Sequence, residues 1–460
     1  MRVAVMVFTR DLRVRDNPAL SAAVASAESL VPLFVLDPSL PIARSANRLG
    51  FLFDALRDLD VSLRGRGGRL VVRQGRWVEQ VLSVAAAVSA AEIHLADDVS
   101  AHATRRLRSL REEASRARVG VHSHPGVTVV PPGQLRPAGG DAFQVFTPYH
   151  RRWLAAPWRP LVAAPGQIRM APGADAMAGV EVLETITTGT RSPEVTAGGE
   201  REGRRRLRSW SLRDLAGYGA GHDDLAGDAT SRISPFLHFG CLSPTEVATR
   251  LRPRPGAAPF VRQLCWRDFY HQVLAARPDA AHRDVRPRGD RWNEDADGLA
   301  AWCAGETGYP LVDAAMRQLA TEGFMHNRAR LVVASFFTKD LYLDWRLGAA
   351  HFMDLLVDGD VANNQLNWQW TAGTGTDTNP YRVFNPVVQS QRFDAGGHYI
   401  RRYLPQLAEL DQRSIHWPDA TTRKRLGYAK PLVDHGEAIA AYLAALPKAT
   451  TVSSDRPRSR

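Results

Sequence analysis

The hydrophobic pattern changes type once along the chain, and this change constrains the fold more than any other feature. Before residue 131, short apolar runs typical of buried strands lie at 3–7, 30–36, 70–72, 93–95 and 127–130. Segments with helical spacing separate them, around 49–59, 78–87 and 103–113. Such alternation predicts a parallel sheet covered by helices. Beyond residue 210 strand patterns nearly vanish, so we expect an α/β domain followed by an all-α domain.

Length and composition define the expected domain boundaries. A chain of 460 residues exceeds what one core usually supports. We expect a Rossmann-like parallel-sheet domain at 1–131, an interdomain linker at 132–209, a helical domain at 210–447 and a disordered basic tail at 448–460. No GxGxxG follows the first strand, so the dinucleotide fingerprint is absent. The basic segment 201–208 reads as a solvated helix face without a functional role.

Several classes of protein are disfavoured by the sequence. No apolar run approaches the roughly 18 residues of a membrane span. The apolar stretch at the N-terminus is too short for a signal peptide. We therefore expect a cytoplasmic protein. The three cysteines, Cys241, Cys265 and Cys303, form no CxxC pair, and no HExxH or clustered His/Cys site occurs. We predict neither a disulfide framework nor a metal site.

The charge balance is compatible with a polyanionic partner but does not identify one. The net charge is +11 and the isoelectric point is near 10.0, which suits nucleic acid. Only four of the 59 basic residues are lysines, so the charge can equally reflect an arginine- and alanine-rich composition from a GC-rich genome. Charge alone leaves both interpretations open.

The segment 358–386, DGDVANNQLNWQWTAGTGTDTNPYRVFNP, carries the densest chemistry in the chain. Two acids, an asparagine pair and two tryptophans occur within one short window. Residues two apart on a helix point to nearly opposite faces, so Trp368 and Trp370 cannot share one apolar stripe. One of them can pack into the protein while the other lines a cavity.

A second candidate site precedes a predicted helix. The segment Thr230, Ser231, Arg232, Ile233 and Ser234 ends at Pro235. Hydroxyls and free backbone amides just before a helix start can bind an anion. An ordinary N-cap is the alternative for the same residues.

Seven segments together resemble the photolyase/cryptochrome flavoproteins, and they occur in that family's order. Besides 358–386 they are FTRDLRVRDNPAL from Phe8, VFTPYHRRW from Val145, TSRISPFLHFG from Thr230, QLCWRDFYH from Gln263, TGYPLVDAAMRQL from Thr307 and FMHNRAR from Phe324. The resemblance covers nearly the whole chain and is closest to the bacterial class I cyclobutane pyrimidine dimer photolyases. It implies a helical FAD-binding domain and UV-damaged DNA as the partner.

The resemblance also implies roles for individual residues of the helical domain. The 230–234 segment would hold the FAD pyrophosphate, and Tyr218 and Phe260 would contact the same cofactor. Asp358, Gly359 and Asp360 would lie near the adenosine ribose and the flavin edge, with Asn364 beside flavin nitrogen 5. A neutral amide there favours repair over sensing. The family's electron-relay tryptophans match Trp292, Trp345 and Trp368, although each alone could be core packing.

The lesion-binding positions of the family match a further set of residues: Gln263, Trp266, Asn327, Arg328, Leu331, Trp370 and Arg402, with Arg401 as an additional phosphate contact. The implied reaction is light-driven splitting of cyclobutane pyrimidine dimers by reduced FAD. A six-four photolyase would need histidines where Asn327 and Leu331 stand. A cryptochrome without repair activity is the other alternative, and Gln263, in place of the family's glutamate, keeps the substrate class open.

The accessory components are less distinctive in sequence. Family members often bind an antenna chromophore in the α/β domain. The segment DVSAHATRR, 98–106, lacks the glutamate of folate-binding relatives, which favours 8-hydroxy-5-deazaflavin over methenyltetrahydrofolate. We expect a monomer without an obligate protein partner.

Overall fold

The computed structural model describes residues 2–446, so the predicted basic tail at 448–460 lies outside the described residues. The first part of the chain forms one parallel sheet. Its strands are β1 (Val3–Phe8), β2 (Ser29–Leu36), β3 (Val71–Gln74), β4 (Glu92–Ala96) and β5 (Gly120–His124). They lie in the order β3-β2-β1-β4-β5, and every pair is parallel. The predicted parallel-sheet domain is confirmed.

Helices connect the strands and cover both faces of the sheet. They are α1 (Pro18–Ser26), α2 (Ala46–Arg64), α3 (Trp77–Ala87) and α4 (Ala101–Arg116). Alternate side chains of a strand point to opposite faces of the sheet. Because both faces are covered, all six residues of β1 are buried. Ala4, Met6 and Phe8 belong to the core on one face of the sheet, whereas Val3, Val5 and Val7 belong to the core on the other face.

Two strand assignments differ from the sequence prediction. Residues 127–130 form no strand, so that prediction is wrong. The backbone N–H groups of Val129 and Val130 donate instead to Asp268 Oδ2, at 2.9 and 3.0 Å. A buried carboxylate thus satisfies the donors that a neighbouring strand would otherwise bind. The fifth strand is β5, whose GVHSH sequence has too few apolar residues to be recognised; an edge strand needs fewer of them.

The rest of the chain is helical, and the described residues after His124 contain no further strand, only an isolated β-bridge between Met170 and Leu30. The α-helices are α5 (Phe146–Ala155), α6 (Glu200–Arg213), α7 (Tyr218–Gly221), α8 (Ser234–His238), α9 (Pro244–Leu251), α10 (Ala258–Ala276), α11 (Ala296–Ala304), α12 (Pro310–Glu322), α13 (Asn327–Ser335), α14 (Trp345–Leu355), α15 (Val361–Ala372), α16 (Pro386–Phe393), α17 (His398–Tyr403), α18 (Ala420–Leu426) and α19 (His435–Ala445). A π-helical turn, Phe336–Asp340, follows α13. No helix among residues 2–446 is long and apolar enough to cross a membrane.

The predicted linker contains α5, most of α6 and two 3-10 helices, Ala174–Ala176 and Val180–Thr185, and it lies against the sheet domain. Beside the bridge at Met170, the Ile168 N–H donates to the Arg66 carbonyl at 2.7 Å. In α6 the basic face is only partly solvated, because Arg204 forms ion pairs with Glu200 and Glu246. The boundaries at residues 131, 209 and 447 remain predictions.

The two halves of the molecule meet through the loop that follows β1. Leu12 N–H donates to the Phe239 carbonyl at 3.2 Å, and the buried Arg13 donates to the Gly240 carbonyl at 2.9 Å. Gly240 has a φ of 70°, and a Cβ there would overlap the backbone of Arg10. This close approach lets the Arg10 side chain of the sheet domain reach Asp360 of the helical domain, with Arg10 Nη2 2.5 Å from Asp360 Oδ2.

Candidate functional site

One large cavity, of about 500 Å³, opens in the helical domain. Every cofactor-binding residue predicted from the sequence lines it: Tyr218, Thr230, Ser231, Arg232, Ile233, Ser234, Phe260, Asp358, Gly359, Asp360 and Asn364. Predicted lesion-binding residues line it too, namely Gln263, Trp266, Asn327, Arg328, Leu331 and Trp370, together with Trp368. Trp292, Trp345 and Arg402 do not. Segments more than 100 residues apart in sequence therefore contribute to one site of ligand-binding size.

The 230–234 segment has the properties of an anion site. Within the part of the chain that the structure describes, none of its backbone N–H groups donates to a protein acceptor. Thr230 Oγ1 is buried and has no hydrogen-bond partner. Arg232, at a φ of 50°, pairs with Asp228 at 2.7 Å and Glu322 at 2.6 Å. Free donors facing a cavity suit a diphosphate group.

An aromatic wall stands next to this segment. The rings of Tyr218 and Phe260 meet edge to face, with centroids 5.5 Å apart, and Trp210 packs against both. Burial raises the pKa of Tyr218 to about 12. The phenol is therefore neutral at physiological pH, and the wall offers an uncharged aromatic surface to a ligand.

Asp358 is held by two neighbours across the cavity. Its carboxylate accepts hydrogen bonds from the Ser234 hydroxyl at 2.6 Å and from Arg330 Nη2 at 2.9 Å. A simple turn would leave this acid in solvent, so the functional interpretation of the DGD segment gains support. Arg330, within the FMHNRAR segment, was missed by the sequence analysis.

Asp360 connects the cavity to the sheet domain. Its carboxylate caps α15 by accepting the Asn363 N–H at 2.9 Å, and it accepts Arg10 Nη2 at 2.5 Å. Arg10 binds Asp360 Oδ2, and His238 Nδ1 and His271 Nε2 lie 3.6 and 3.7 Å from that oxygen. Burial favours a higher pKa for Asp360, but Arg10 and the histidines outweigh it and hold the pKa well below the usual range.

The histidines beside Asp360 are neutral at physiological pH. Burial lowers the pKa of His271 to about 4, with Arg267 and Arg10 adding to the effect against the attraction of Asp360. Sequence reasoning missed Arg10, His238 and His271. All three lie inside or beside recognised segments, FTRDLRVRDNPAL, TSRISPFLHFG and QLCWRDFYH, but nothing local predicts that they converge.

Asn364 presents an acceptor rather than a donor to the cavity. Its Nδ2 donates to the Ala349 carbonyl at 3.0 Å and to Gln365 Oε1 at 3.1 Å. A backbone carbonyl can only accept, which fixes the orientation of the amide. Among residues 2–446 no donor reaches Asn364 Oδ1, so this oxygen remains available to a ligand N–H.

The three relay tryptophans belong to one core. Trp368 lines the cavity and is 2% exposed, Trp345 is fully buried, and Trp292 is partly buried against the same cluster. Trp345 Nε1 donates to Asp284 Oδ1 at 2.9 Å. Trp302, absent from the sequence analysis, packs edge to face on Trp368 with centroids 6.0 Å apart.

Trp368 and Trp370 both reach the cavity. As expected, one ring, Trp368, packs into the core and the other, Trp370, lines the cavity, but Trp368 borders the cavity as well. Trp368 packs across Gly348 of α14, where a Cβ would lie 2.3 Å from its ring. Trp370 is half-buried beneath the Arg382 guanidinium, 5.3 Å from the ring centroid.

The opposite end of the cavity is a half-open aromatic surface. Trp266 stacks on Phe146, with centroids 3.6 Å apart and planes inclined by 3°. This contact explains the VFTPYHRRW segment, whose Phe146 supports the indole from behind. Gln263, one turn earlier on α10, and Leu331 of α13 are at least partly exposed beside it.

The arginines assigned to DNA binding differ in their surroundings. Arg328 pairs with Asp223 at 2.5 Å, next to the exposed Asn327. Arg402, about half exposed, pairs with Glu322 at 3.3 Å and lies outside the cavity lining. Arg401 donates to the carbonyls of Gly396, Ala408 and Leu410. These bonds hold the partly exposed Arg401 guanidinium in place, and its phosphate contact remains a prediction.

Comparisons with known proteins agree with this geometry. A model described as DNA photolyase matches residues 4–166, and one described as the FAD binding domain of DNA photolyase matches residues 260–448. The deoxyribodipyrimidine photo-lyase of Streptomyces griseus is 52% identical, over 96% of this chain and 98% of its own. The Escherichia coli K12 enzyme of the same name is 34% identical, over 95% and 98%.

Solved structures give the same fold. A bacterial class III photolyase from Agrobacterium tumefaciens superposes with a TM-score of 0.90 at 30% identity, covering 97% of both chains. A Synechocystis cryptochrome gives 0.87 at 29% identity, covering 97% of this chain and 99% of its own. The sheet order, the helical cavity and these matches over nearly the whole length show that the chain belongs to the DNA photolyase family.

Proposed function

We propose that the protein is a deoxyribodipyrimidine photo-lyase that repairs cyclobutane pyrimidine dimers in DNA with light. One observation carries the proposal: a single cavity joins an anion-binding segment, an amide acceptor and a half-open aromatic surface. The first two suit FAD, and the third suits a flipped-out pyrimidine dimer. Bound FAD, when reduced, supplies light-driven one-electron transfer to the dimer, which splits the cyclobutane ring without acid–base or metal chemistry.

The cofactor would be held by polar groups at one end of the cavity. Backbone N–H groups and hydroxyls of 230–234 bind the diphosphate, supported by the paired Arg232. Tyr218 and Phe260 provide apolar surface beside it. Asp358, fixed by Ser234 and Arg330, accepts hydrogen bonds from the ligand. Gly359 lets the chain pack closely, because a Cβ there would lie 3.2 Å from the Leu356 carbonyl oxygen and from Met353 Sδ.

Asn364 would set the electronic environment of the flavin. Its free Oδ1 accepts a hydrogen bond from a ring N–H without supplying a proton to the ring. The Asp360 carboxylate is already hydrogen-bonded to Arg10 and Asn363, so it would influence the flavin through its charge and not by direct contact. That negative charge is balanced by the Arg10 guanidinium.

Trp368, Trp345 and Trp292 would relay an electron from the protein surface to the cofactor. Their positions support this order: Trp368 lines the cavity, Trp345 is fully buried, and Trp292 is partly exposed. The relay serves to reduce the flavin and takes no part in splitting the dimer.

Lesion recognition would use Trp266 and Trp370 as stacking surfaces. Gln263 offers both a donor and an acceptor to the base edge. Asn327 lies at the mouth, Leu331 adds apolar contact, and Arg328 and Arg402 contact backbone phosphates on either side. Phosphate contacts position DNA without reading its sequence.

A cryptochrome without repair activity is the second candidate, and one residue favours it. Gln263 replaces the glutamate of the dimer photolyases, and animal cryptochromes and six-four enzymes carry glutamine there. Against a six-four enzyme, Asn327 and Leu331 replace the required histidine pair.

Illumination of the FAD-loaded, chemically reduced protein with defined oligonucleotides separates these functions. We expect restoration of thymines from a cis-syn cyclobutane dimer under blue light, none in darkness, and none from a six-four photoproduct. Replacing Trp266 with alanine should lower repair while FAD absorbance is retained. Normal FAD binding with both lesions intact would establish the cryptochrome alternative instead.

We further propose that the protein acts as a cytoplasmic monomer without an obligate protein partner, and that its domains end near residues 131, 209 and 447. An antenna chromophore would bind the sheet domain, with 8-hydroxy-5-deazaflavin favoured over methenyltetrahydrofolate. A Sulfolobus tokodaii photolyase of known structure, 29% identical, holds two FAD molecules, which implies a novel light-harvesting cofactor in that protein. Mass spectrometry of the chromophores released from the purified protein decides among these three.

A further inference from the structure

A cluster of one carboxylate and three imidazoles lies on the sheet, away from the helical cavity. Glu92 and His94 lie on β4, and His122 and His124 lie on β5. The parallel register pairs His94 with His122, so all four side chains belong to one face at the edge of the sheet. The sequence analysis predicted no metal site, because neither ExH nor HxH alone is distinctive.

The donor atoms of this cluster have the spacing of a metal site. His94 Nε2 lies 3.7 Å and His122 Nε2 lies 3.6 Å from Glu92 Oε2, and the three ligand atoms lie within 4.8 Å of one another. Donors about 2.0 to 2.1 Å from a tetrahedral Zn²⁺ are themselves roughly 3.3 Å apart. Glu92 Oε2 is therefore close to the required distance from both imidazole nitrogens. Rotation of the half-exposed His122 side chain would close the remaining separation between the two nitrogens, which lie within 4.8 Å of each other.

A contact between two imidazoles can orient the His94 ring for metal binding. His94 Nδ1 lies 3.0 Å from His124 Nε2. If Nδ1 donates there, the lone pair of His94 Nε2 faces Glu92 Oε2 and the Ser26 hydroxyl, whose oxygen lies 3.3 Å from that nitrogen. A bound metal would displace the Ser26 hydroxyl and leave Nδ1 donating to His124, as is usual for metal-binding histidines.

An ion pair with Arg2 is the simplest alternative explanation of the buried carboxylate. Arg2 Nη2 lies 3.0 Å from Glu92 Oε2, but its side chain is 58% exposed and can move into solvent. That pair does not account for the imidazoles, whose rings stack at 5.0 and 5.2 Å. Nor does it use Glu92 Oε1, which is buried and has no hydrogen-bond partner among residues 2–446.

Gly120 gives a further reason to regard the arrangement as a site. It lies opposite Glu92 in the register, and a Cβ there would be 3.1 Å from His122 Nε2 and 3.7 Å from the Glu92 Cβ. A side chain at this position would occupy the space beside the donor atoms. The glycine keeps that space open.

From these observations we propose that Glu92, His94 and His122 bind a divalent transition metal of the Zn²⁺ type, with His124 orienting His94. Nitrogen and carboxylate donors suit Zn²⁺ and Co²⁺ better than Mg²⁺ or Ca²⁺. The metal links the edge strand β5 to β4. It stabilises the sheet domain and leaves the residues of the helical cavity unchanged.

The test uses untagged, FAD-loaded protein freed of metal by chelation. Calorimetric titration with ZnCl₂ should show one saturable site, and Co²⁺ should give the visible spectrum of tetrahedral nitrogen and oxygen coordination. His122→Ala removes a half-exposed ligand and should weaken binding at least tenfold, as should Glu92→Gln. His282→Ala, which removes an exposed histidine elsewhere, should leave affinity unchanged.

Two further variants distinguish a built site from incidental imidazole binding. Gly120→Ala should weaken Zn²⁺ binding although every ligand remains. Arg2→Gln removes the competing cation and should strengthen it several-fold. Absence of saturable binding, or equal affinity in wild type and His122→Ala, overturns the proposal. No gain from Arg2→Gln would contradict the placement of the metal on Glu92 Oε2.

Discussion

Replacing Arg10 with glutamine should destabilise the protein strongly at pH 8. Arg10 reaches from the sheet domain to Asp360, whose side chain is only 7% exposed, and Arg10 itself is 21% exposed. Removing one partner of a buried ion pair leaves an uncompensated charge and costs about 3 to 5 kcal/mol. With a urea m-value of about 3 kcal/mol/M, the unfolding midpoint falls by roughly 1 to 1.7 M.

The same variant should have a distinctive pH dependence. In the wild type the pKa of His271 is depressed to about 4, by burial first and then by Arg267 and Arg10. The contribution of the neutral His271 imidazole to the free energy of unfolding is thus lost as pH falls below about 6.5, where the unfolded chain binds the proton first. Without Arg10 the pKa values of His238 and His271 rise, and a protonated imidazole can pair with Asp360. The difference in unfolding free energy between wild type and variant therefore shrinks between pH 8 and pH 5.5.

Urea unfolding followed by circular dichroism at both pH values measures this difference. Arg76→Gln is the matched control, because Arg76 is 85% exposed and pairs only with Glu79 at the surface; no measurable change is expected there. An unchanged midpoint for Arg10→Gln at pH 8, or a deficit that stays constant at pH 5.5, would refute the assigned role of the Arg10–Asp360 pair.

Three predictions concern the cavity itself. Trp368→Phe should abolish light-driven reduction of oxidised FAD, measured by absorbance, while chemically reduced enzyme still repairs dimers; equal loss of both would assign Trp368 to packing alone. Gln263→Ala should lower affinity for dimer DNA by about 1 to 3 kcal/mol in a binding titration, whereas Gln263→Glu should stay active on cyclobutane dimers. Arg328→Ala should weaken damaged and undamaged duplex alike and reduce the salt dependence of binding, and a loss confined to damaged DNA would mean that Arg328 reads the lesion.

The sheet was predictable because its central strands carry continuous apolar runs. The edge strand β5 was missed because GVHSH contains one large apolar residue, Val121. The reverse error at 127–130 arose because a strand-like sequence is held by Asp268, about 140 residues away. Local patterns cannot reveal a side chain that substitutes for a neighbouring strand.

The cavity residues were predictable for a different reason. Most lie in segments that the family resemblance had already marked, and Tyr218, Phe260 and Leu331, outside those segments, were assigned from the same resemblance. Their positions thus followed from matching rather than from periodicity. What could not be predicted was how they are paired. Arg10 and Asp360 are 350 positions apart, and the Glu92 cluster depends on the register between two strands. Such contacts become visible only once the chain is folded.

The pairing of the cavity's arginines bears on how DNA would be attracted. Arg232 is neutralised by Asp228 and Glu322, Arg328 by Asp223, and Arg330 by Asp358. The cavity therefore offers fixed hydrogen-bond donors with little net charge, which suits the uncharged edges of a pyrimidine dimer taken out of the stack. Long-range attraction of DNA must come instead from exposed arginines outside the cavity, which contribute to the net charge of +11. Salt should thus weaken the encounter with any duplex more than it weakens the contacts that select the lesion.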